Sequence, residues 1–136
     1  EVEDALGQVE NSLDSYEKAL ALKPGSIDLW EGYTRTMAQS GDFEQAIEIL
    51  EQAKMLSSAD VALLRAEVYT AWPGHTRDAE KMLTQLVEDY PLDPRVYVAK
   101  GAFLNKQDRK FEAAEVIKKG QEMINEQNRL AAQASN

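Results

Sequence analysis

Apolar residues recur along this chain with the spacing of helices. Residues 27–39 and the segment after Gly41 each carry apolar residues three and four positions apart, which places them on one helical face. In the second segment, that face is formed by Phe43, Ala46, Ile47, Leu50 and Ala53. The pattern predicts two successive amphipathic helices that pair through their apolar faces.

Turn residues separate the predicted helices. Gly41 can adopt the left-handed conformation that ends a helix, and Asp42 with Gln45 three positions later can cap the next helix. Further along, Asp93 supplies a capping carboxylate before Pro94, whose missing N–H costs nothing in a first turn. We therefore expect a turn at Gly41 and a new helix at Pro94.

A short signature occurs four times. It consists of an aromatic or apolar residue, a small residue three positions later, a large residue four positions after that, and a last position that is usually Ala or Leu. The small residue falls at Ser12, Ala46, Ala79 and Ala114, at intervals of 34, 33 and 35 residues. Such regularity predicts a repeat of about 34 residues in which each copy is a helix pair.

The repeat resembles the tetratricopeptide repeat, whose copies carry Trp-x2-Leu-Gly-x2-Tyr, then Ala-x3-Phe and a closing Pro. The best copy matches at Trp30, Tyr33, Gly41, Ala46, Leu50 and Ala53. The last copy matches at Tyr97, Gly101, Leu104, Phe111 and Ala114. The resemblance implies an all-α fold, an α-solenoid of antiparallel helix pairs in a right-handed superhelix. It also implies helix packing by Tyr16, Trp30, Tyr33, Phe43 and Phe111.

The repeat predicts five ranges along the chain. Residues 1–26 would hold a partial first repeat, mainly its second helix at 8–22 with 1–6 left from its first helix, so we expect the array to continue upstream. Further repeats are predicted at 27–59, 60–93 and 94–121, of which the middle one is divergent. Residues 122–136 would extend the last helix or form a frayed tail.

Composition excludes several classes of function. The 136 residues include one His and no Cys, and no phosphate loop or metal-ligand spacing occurs, so we expect no enzyme activity and no cofactor. The formal net charge is −9, and residues 1–59 carry 12 Asp/Glu against 4 Lys/Arg, a net charge of −8. This acidity opposes binding to nucleic acid. No apolar run is long enough for membrane insertion. Protein or peptide partners are expected.

Three arginines are the sharpest candidate for binding. They are Arg35, Arg65 and Arg95, at intervals of 30 residues. Because the repeat is about 34 residues long, each arginine lies about four residues, or one helical turn, earlier in its repeat than the one before it. The three side chains would then form a diagonal stripe across the first helices of adjacent repeats. Co-chaperones of the resembled family bind the acidic tail of a partner with a clamp of Lys, Asn and Arg side chains. The resemblance therefore implies an acidic peptide as the ligand here. This chain departs from the clamp at Glu31, where the family has Lys. The alternative is that the arginines are solvated or paired with acids, as Arg35 with Glu31.

Other residues are candidates for contact with a partner, and the sequence allows a structural interpretation for each of them as well. Trp72 is either an anchor for a partner or a plug on the loop that follows it. His75 in that loop is expected to be solvated. Lys106 belongs to a basic patch that is either a solvated face or a contact for an acidic partner or anionic lipid. The other members of this patch are Arg109, Lys110, Lys118 and Lys119.

These features predict a protein–protein interaction module that takes a partner peptide or protein surface in a concave groove, as an assembly factor, scaffold or chaperone adaptor. The alternative is self-association as a homodimer, or a regulatory module of a larger protein whose active domain or membrane anchor is outside this chain. We expect a soluble chain in the cytoplasm or an organelle stroma, with any membrane tether outside it.

Overall fold

The computed structural model describes the backbone of residues 2–135 and the side chains of residues 7–135. That part of the chain forms seven α-helices and no strand. The helices are α1 (Val2–Leu22), α2 (Ile27–Gln39), α3 (Phe43–Leu50), α4 (Ser58–Ala71), α5 (Thr76–Asp89), α6 (Pro94–Lys106) and α7 (Lys110–Ala134). Residues 1 and 136, the outer ends of two predicted ranges, lie outside the described residues.

The helices divide into two compact units. Unit 1 covers Glu1–Thr76 and contains α1 to α4. Unit 2 covers Arg77–Asn136 and contains α6, α7 and all of α5 except its first residue. Within unit 1, α2 packs against α1, α3 and α4, and within unit 2, α6 packs against α7.

The core of unit 1 forms where the apolar faces of its helices meet. Helix α2 occupies the predicted residues, and the Ser26 hydroxyl caps its start by accepting a hydrogen bond from the Leu29 N–H at 3.4 Å. Burial of these faces removes apolar surface from water, which is the main force that holds the helices together. The buried cluster consists of Leu20, Trp30, Tyr33, Met37, Ala46, Leu50, Ala53, Leu64 and Val68.

Aromatic residues lock α2 against α1, as predicted. The ring centroids of Tyr16 and Tyr33 lie 6.2 Å apart, and Trp30 lies at the same distance from Tyr33. The Tyr33 hydroxyl donates to Oε1 of Glu17 at 2.8 Å. Burial, aided by this hydrogen bond and the negative charge of Glu17, raises the pKa of Tyr33 to about 12. Gly32 permits the close approach, because a Cβ there would stand 2.5 Å from the Tyr16 hydroxyl oxygen.

The turn between α2 and α3 uses the predicted glycine but lacks the predicted cap. Gly41 has a φ of 90°. Its N–H and that of Asp42 donate to the carbonyl oxygens of Ala38 and Met37 at 3.0 and 2.9 Å, the pattern of a Schellman turn. The Asp42 side chain makes no capping hydrogen bond, so the predicted capping box with Gln45 is wrong. The ψ of 56° at Asp42 departs from the extended backbone of a capping residue.

In unit 2, α6 begins at Pro94 as predicted. The Asp93 carboxylate caps the helix by accepting a hydrogen bond from the Arg95 N–H at 3.0 Å. Tyr97 is buried, and its hydroxyl donates to the carbonyl oxygen of Pro91 at 2.6 Å. The buried apolar positions of α6 and α7 are Val96, Tyr97, Phe103, Leu104 and Ala113.

The register of the last repeat differs from the prediction by one residue. Ala113 is buried and Ala114 is exposed, while Phe111 is 78% exposed. The predicted packing role of Phe111 is therefore wrong. Two glycines allow α6 and α7 to approach closely on this face, because a Cβ on Gly101 would stand 2.8 Å from Ile117 Cδ1 and a Cβ on Gly120 would collide with the Tyr97 ring. The buried small residues recur at Ala46, Ala79 and Ala113.

Helices α1 and α7 extend beyond the predicted repeat helices. Helix α1 is continuous from Val2 to Leu22, so residues 2–6 continue the helix predicted at 8–22 and do not belong to a separate helix. Helix α7 continues past residue 121 to Ala134. The division into five repeat ranges stays a prediction.

Candidate interaction groove

A groove lies between α2 and α4, the first helices of two successive predicted repeats. We call it the α2–α4 groove. Its volume is about 340 Å³, and it is lined by Thr34, Arg35, Ala38, Gln39, Glu67, Val68 and Ala71. All of these residues belong to unit 1. Because α2 and α4 pack directly against each other, the walls of the groove are held in place by helix packing.

Small and apolar side chains line part of the groove. Val68 and Ala38 are buried, and Ala71 is exposed at the end of α4. Thr34 is also buried, and its hydroxyl donates to the carbonyl oxygen of Trp30 at 2.9 Å. The hydroxyl proton of Thr34 is therefore engaged within α2. A ligand in the groove would meet apolar surface along these positions.

An ion pair crosses the groove from α2 to α4. Arg35 donates from Nη2 to Glu31 Oε1 at 2.7 Å, and from Nη2 and Nε to Glu67 Oε1 at 2.9 and 3.2 Å. The hydrogen bond to Glu67 is the main cause of the raised pKa of Arg35. All three side chains are substantially exposed, so solvent screens the attraction and the pair is worth about 0–1 kcal/mol. Arg35 is thus oriented by its partners without being strongly bound to them.

The three predicted arginines have different surroundings. Arg35 lies at the groove beside Glu31. Arg65 on α4 is partly buried, does not line the groove and forms no hydrogen bond or ion pair with the residues the structure describes. In unit 2, Arg95 holds both carboxylate oxygens of Asp93, with Nε–Oδ1 at 3.1 Å and Nη2–Oδ2 at 2.8 Å, which lowers the pKa of that carboxyl. A stripe of all three arginines that binds a ligand stays a prediction.

Glu67 was missed by sequence reasoning, although it bears directly on Arg35. It lies 32 residues after Arg35, close to one repeat length. Positions one repeat apart face each other on adjacent first helices, so this separation is the signal that could have identified the pair.

Trp72 packs into a cluster of rings after α4. Its ring centroid lies 5.5 Å from Phe43 in a nearly parallel stack, 5.3 Å from Tyr69 and 4.0 Å from His75. These contacts support the plug interpretation, and anchoring of a partner by Trp72 stays a prediction. His75 is partly buried on Trp72, so the prediction of a solvated His75 is wrong. Gly74, with a φ of 85°, allows the loop to fold back.

The predicted basic patch of unit 2 is partly neutralised within the chain. Lys106 is exposed in the last turn of α6. Arg109 donates from Nη1 to Glu80 at 2.8 Å and from Nη2 to Glu112 at 2.6 Å. These hydrogen bonds lower the pKa of both carboxyls and raise that of Arg109. Arg109 therefore links the turn between α6 and α7 to α5, and contact of this patch with a partner stays a prediction.

The part of the chain that the structure describes shows neither a cluster of metal ligands nor a helix that could span a membrane. There, no group of three or more His, Asp or Glu residues is arranged to hold a metal ion. None of the helices described combines the length and the apolar character needed to cross a bilayer.

Comparison with known proteins identifies a family and solved structures that resemble this chain. Residues 5–68 match the family model of the tetratricopeptide repeat. Seven chains of solved structures match the fold, among them the crystal structure of MamA protein, with a TM-score of 0.51 and 21% sequence identity over 87% of this chain. This chain spans 65% of the length of that one, and at such an identity the likeness shows the fold alone. No curated protein matches the sequence.

The match assigns residues 5–68 to the tetratricopeptide repeat family. The prediction of an all-α solenoid fold is confirmed. Repeats of this family support a protein–protein interaction module. The residues that line the α2–α4 groove lie between Thr34 and Ala71, and all of them except Ala71 fall inside the matched segment.

Proposed function

We propose that this chain is a non-catalytic interaction module that binds an extended segment of a partner protein in the α2–α4 groove. The observation that carries the proposal is a preformed groove whose apolar positions lie beside an oriented, exposed guanidinium. Assembly factor, scaffold and chaperone adaptor are the roles in which such binding would serve. The helix packing of unit 1 preorganises the groove, so the host loses little conformational entropy on binding.

The size of the groove fits side chains of an extended segment. A volume of about 340 Å³ lies at the low end of the range of about 300–1,000 Å³ for ligand pockets. The alanines at positions 38 and 71 leave room that larger side chains would fill. One or two apolar side chains of the partner would therefore contact Ala38, Val68 and Ala71.

Apolar side chains are the first feature that the partner segment needs. Arg35 adds a second, a carboxylate that can pair with its guanidinium. A guanidinium can pair with a carboxylate through two parallel hydrogen bonds, and the present pair with Glu67 is exposed and weak. A partner carboxylate can therefore replace Glu67 at little cost. Because residues 1–59 carry a net charge of −8, a strongly acidic segment would be repelled. The segment we propose has apolar residues beside a single Asp, Glu or terminal carboxylate.

Selection of peptides from a random twelve-residue library tests this proposal. Selected peptides should combine apolar residues with a carboxylate, and their affinity is then measured by fluorescence anisotropy. Ala71→Arg fills the groove and should weaken binding about tenfold or more, a loss of about 1.4 kcal/mol or more. The matched control is Ala21→Arg, because Ala21 is also an exposed alanine in the last turn of a helix.

The control should keep the affinity of the unchanged chain within about twofold. Equal affinity of Ala71→Arg and Ala21→Arg would show that the peptides bind elsewhere, and the groove proposal would be abandoned. Arg35→Met separates the two requirements, because it should weaken the selected peptides but not their amide counterparts, in which the carboxylate is replaced by a carboxamide.

A further inference from the structure

Arg35 and Glu67 use only part of their hydrogen-bonding capacity when they meet across the α2–α4 groove. Nε and Nη2 of Arg35 both donate to Oε1 of Glu67, at 3.2 and 2.9 Å. Nη1 of Arg35 and Oε2 of Glu67 form no hydrogen bond within the described part of the chain. Two donors therefore share one acceptor oxygen, although a planar guanidinium can hold two carboxylate oxygens through parallel hydrogen bonds.

Other arginines of the described chain use the same edge of the guanidinium completely. Nε and Nη2 of Arg109 donate to the two carboxylate oxygens of Glu112, at 3.0 and 2.6 Å. Arg129 holds both oxygens of Glu126 in the same way. In each of these pairs the partners lie three residues apart, whereas the partner of Arg35 reaches it from another helix. A carboxylate that is free to orient itself can therefore fill this edge of Arg35 better than the present partner does.

Glu67 is the carboxylate partner of Arg35 that faces the groove. It lines the groove from α4, whereas Glu31 is outside the lining and pairs with Nη2 from one turn earlier on α2, at 2.7 Å. A carboxylate that enters along the groove thus reaches the edge that Glu67 occupies, and the two carboxylates cannot occupy this edge together. Because 44% of the Glu67 side chain is exposed, it can turn into solvent when a ligand takes its place.

We propose that Glu67 is an internal competitor, which occupies in the free chain the edge of Arg35 that the partner carboxylate takes in the complex. This role rests on the function proposed above, in which Arg35 pairs with a carboxylate of the partner segment. The ligand gives Nε and Nη2 an acceptor oxygen each, and the apolar contacts with Ala38 and Ala71 hold it in position. A carboxylate without apolar contacts, such as acetate, gains too little to displace Glu67. The competition therefore links pairing with Arg35 to occupation of the apolar part of the groove.

Nuclear magnetic resonance titration of the whole chain with isocaproate tests this proposal. Isocaproate joins a leucine-like alkyl group to a carboxylate, and isocaproamide is its uncharged counterpart. The methyl signals of Ala38 and Ala71 report the position of the alkyl group, and the Nε–H signal of Arg35 reports pairing with the carboxylate. Isocaproate should shift all three signals to saturation, whereas acetate at the same concentration should leave the Nε–H signal in place.

Two variants that each remove one carboxylate partner of Arg35 separate competition from a general effect of charge. Glu67→Gln should bind isocaproate about threefold more tightly or better, because an exposed ion pair worth up to about 1 kcal/mol no longer has to be broken. Glu31→Gln is the matched control, because Glu31 also pairs with Nη2 but lies outside the groove lining. Its affinity should rise about twofold or less, since the loss of its charge acts only through screened repulsion. Isocaproamide should bind all three chains within about twofold.

Equal increases in affinity for Glu67→Gln and Glu31→Gln would overturn the proposal, since both would then reflect a loss of negative charge. Arg35→Met provides a second check, because without the guanidinium there is nothing to compete for. In that background Glu67→Gln should change the affinity for isocaproate about twofold or less, and an undiminished increase would refute the competition. Failure of isocaproate to shift the groove signals in both the unchanged chain and Glu67→Gln would refute it as well.

Ala71→Arg distinguishes failure of this inference from failure of the groove proposal. If it weakens isocaproate and Ala21→Arg does not, the ligand lies in the α2–α4 groove whatever the result for Glu67. If the two variants bind isocaproate equally, the ligand binds elsewhere, and both the groove proposal and the role of Glu67 are overturned.

Discussion

The indole Nε1 of Trp30 donates a hydrogen bond of 2.9 Å to the carbonyl oxygen of Pro24. This bond ties α2 to the turn that follows α1. Unit 2 contains a counterpart, in which the Tyr97 hydroxyl donates to the carbonyl oxygen of Pro91. In both units the donor lies six residues after the proline. The same position of the repeat thus uses a buried aromatic donor to fix the turn before a first helix, although the ring differs.

Removal of the Trp30 hydrogen bond should destabilise the chain. Trp30→Phe keeps an aromatic ring in the core but leaves the Pro24 carbonyl without this partner, so the free energy of unfolding should fall by about 1–3 kcal/mol. Urea denaturation followed by circular dichroism measures the change. Trp72→Phe is the comparison, because it retains a ring to stack on Phe43 and should cost less. A larger loss for Trp72→Phe would contradict the importance of the bond to Pro24.

Two glycines in unit 1 should respond oppositely to the same substitution. Gly32→Ala would place its Cβ 2.5 Å from the Tyr16 hydroxyl oxygen and force α1 away from α2, at a cost of about 1–3 kcal/mol. A Cβ at Gly7 meets nothing within 4 Å, so Gly7→Ala should stabilise helix α1, by up to about 1 kcal/mol. Thermal denaturation of both variants measures the difference, and a loss of stability in Gly7→Ala would contradict the described environment of that residue.

Tyr33 should make stability depend on pH in the alkaline range. Its pKa in the folded chain is about 12, above the ordinary value of about 10 that the unfolded chain has. Between these values the unfolded state loses the proton first, so the contribution of Tyr33 to stability is complete below about pH 10 and declines as the pH rises towards 12. Unfolding free energies measured between pH 9 and pH 11 should therefore fall more steeply for the unchanged chain than for Tyr33→Phe. Parallel slopes would contradict the raised pKa.

Short-range rules were enough to predict the helices and several of their ends. The bounds of α2, the left-handed Gly41 and the cap at Asp93 before Pro94 follow from backbone geometry within a few residues. The repeat length made the helix pairs predictable, because each copy must present an apolar face to its partner. The predicted cap by Asp42 does not form, because the Schellman turn holds the backbone of that residue outside the extended region.

Packing between helices decided what local patterns left ambiguous. In α7, Ala113 and Ala114 satisfy the small-residue position almost equally, and the packing of α7 against α6 buries Ala113 and leaves Phe111 exposed. The same limit applies to function, since no local rule brings Glu67 to Arg35.

The sequence by itself therefore determined the all-α repeat, the main turns and the acidic character of the first half, because these depend on residue type and spacing. The tertiary structure decided which helix faces meet, and with them the α2–α4 groove and the stack of the Phe43 and Trp72 rings. The physical reason is that these features join side chains from different helices, whose distances are fixed only when the helices pack.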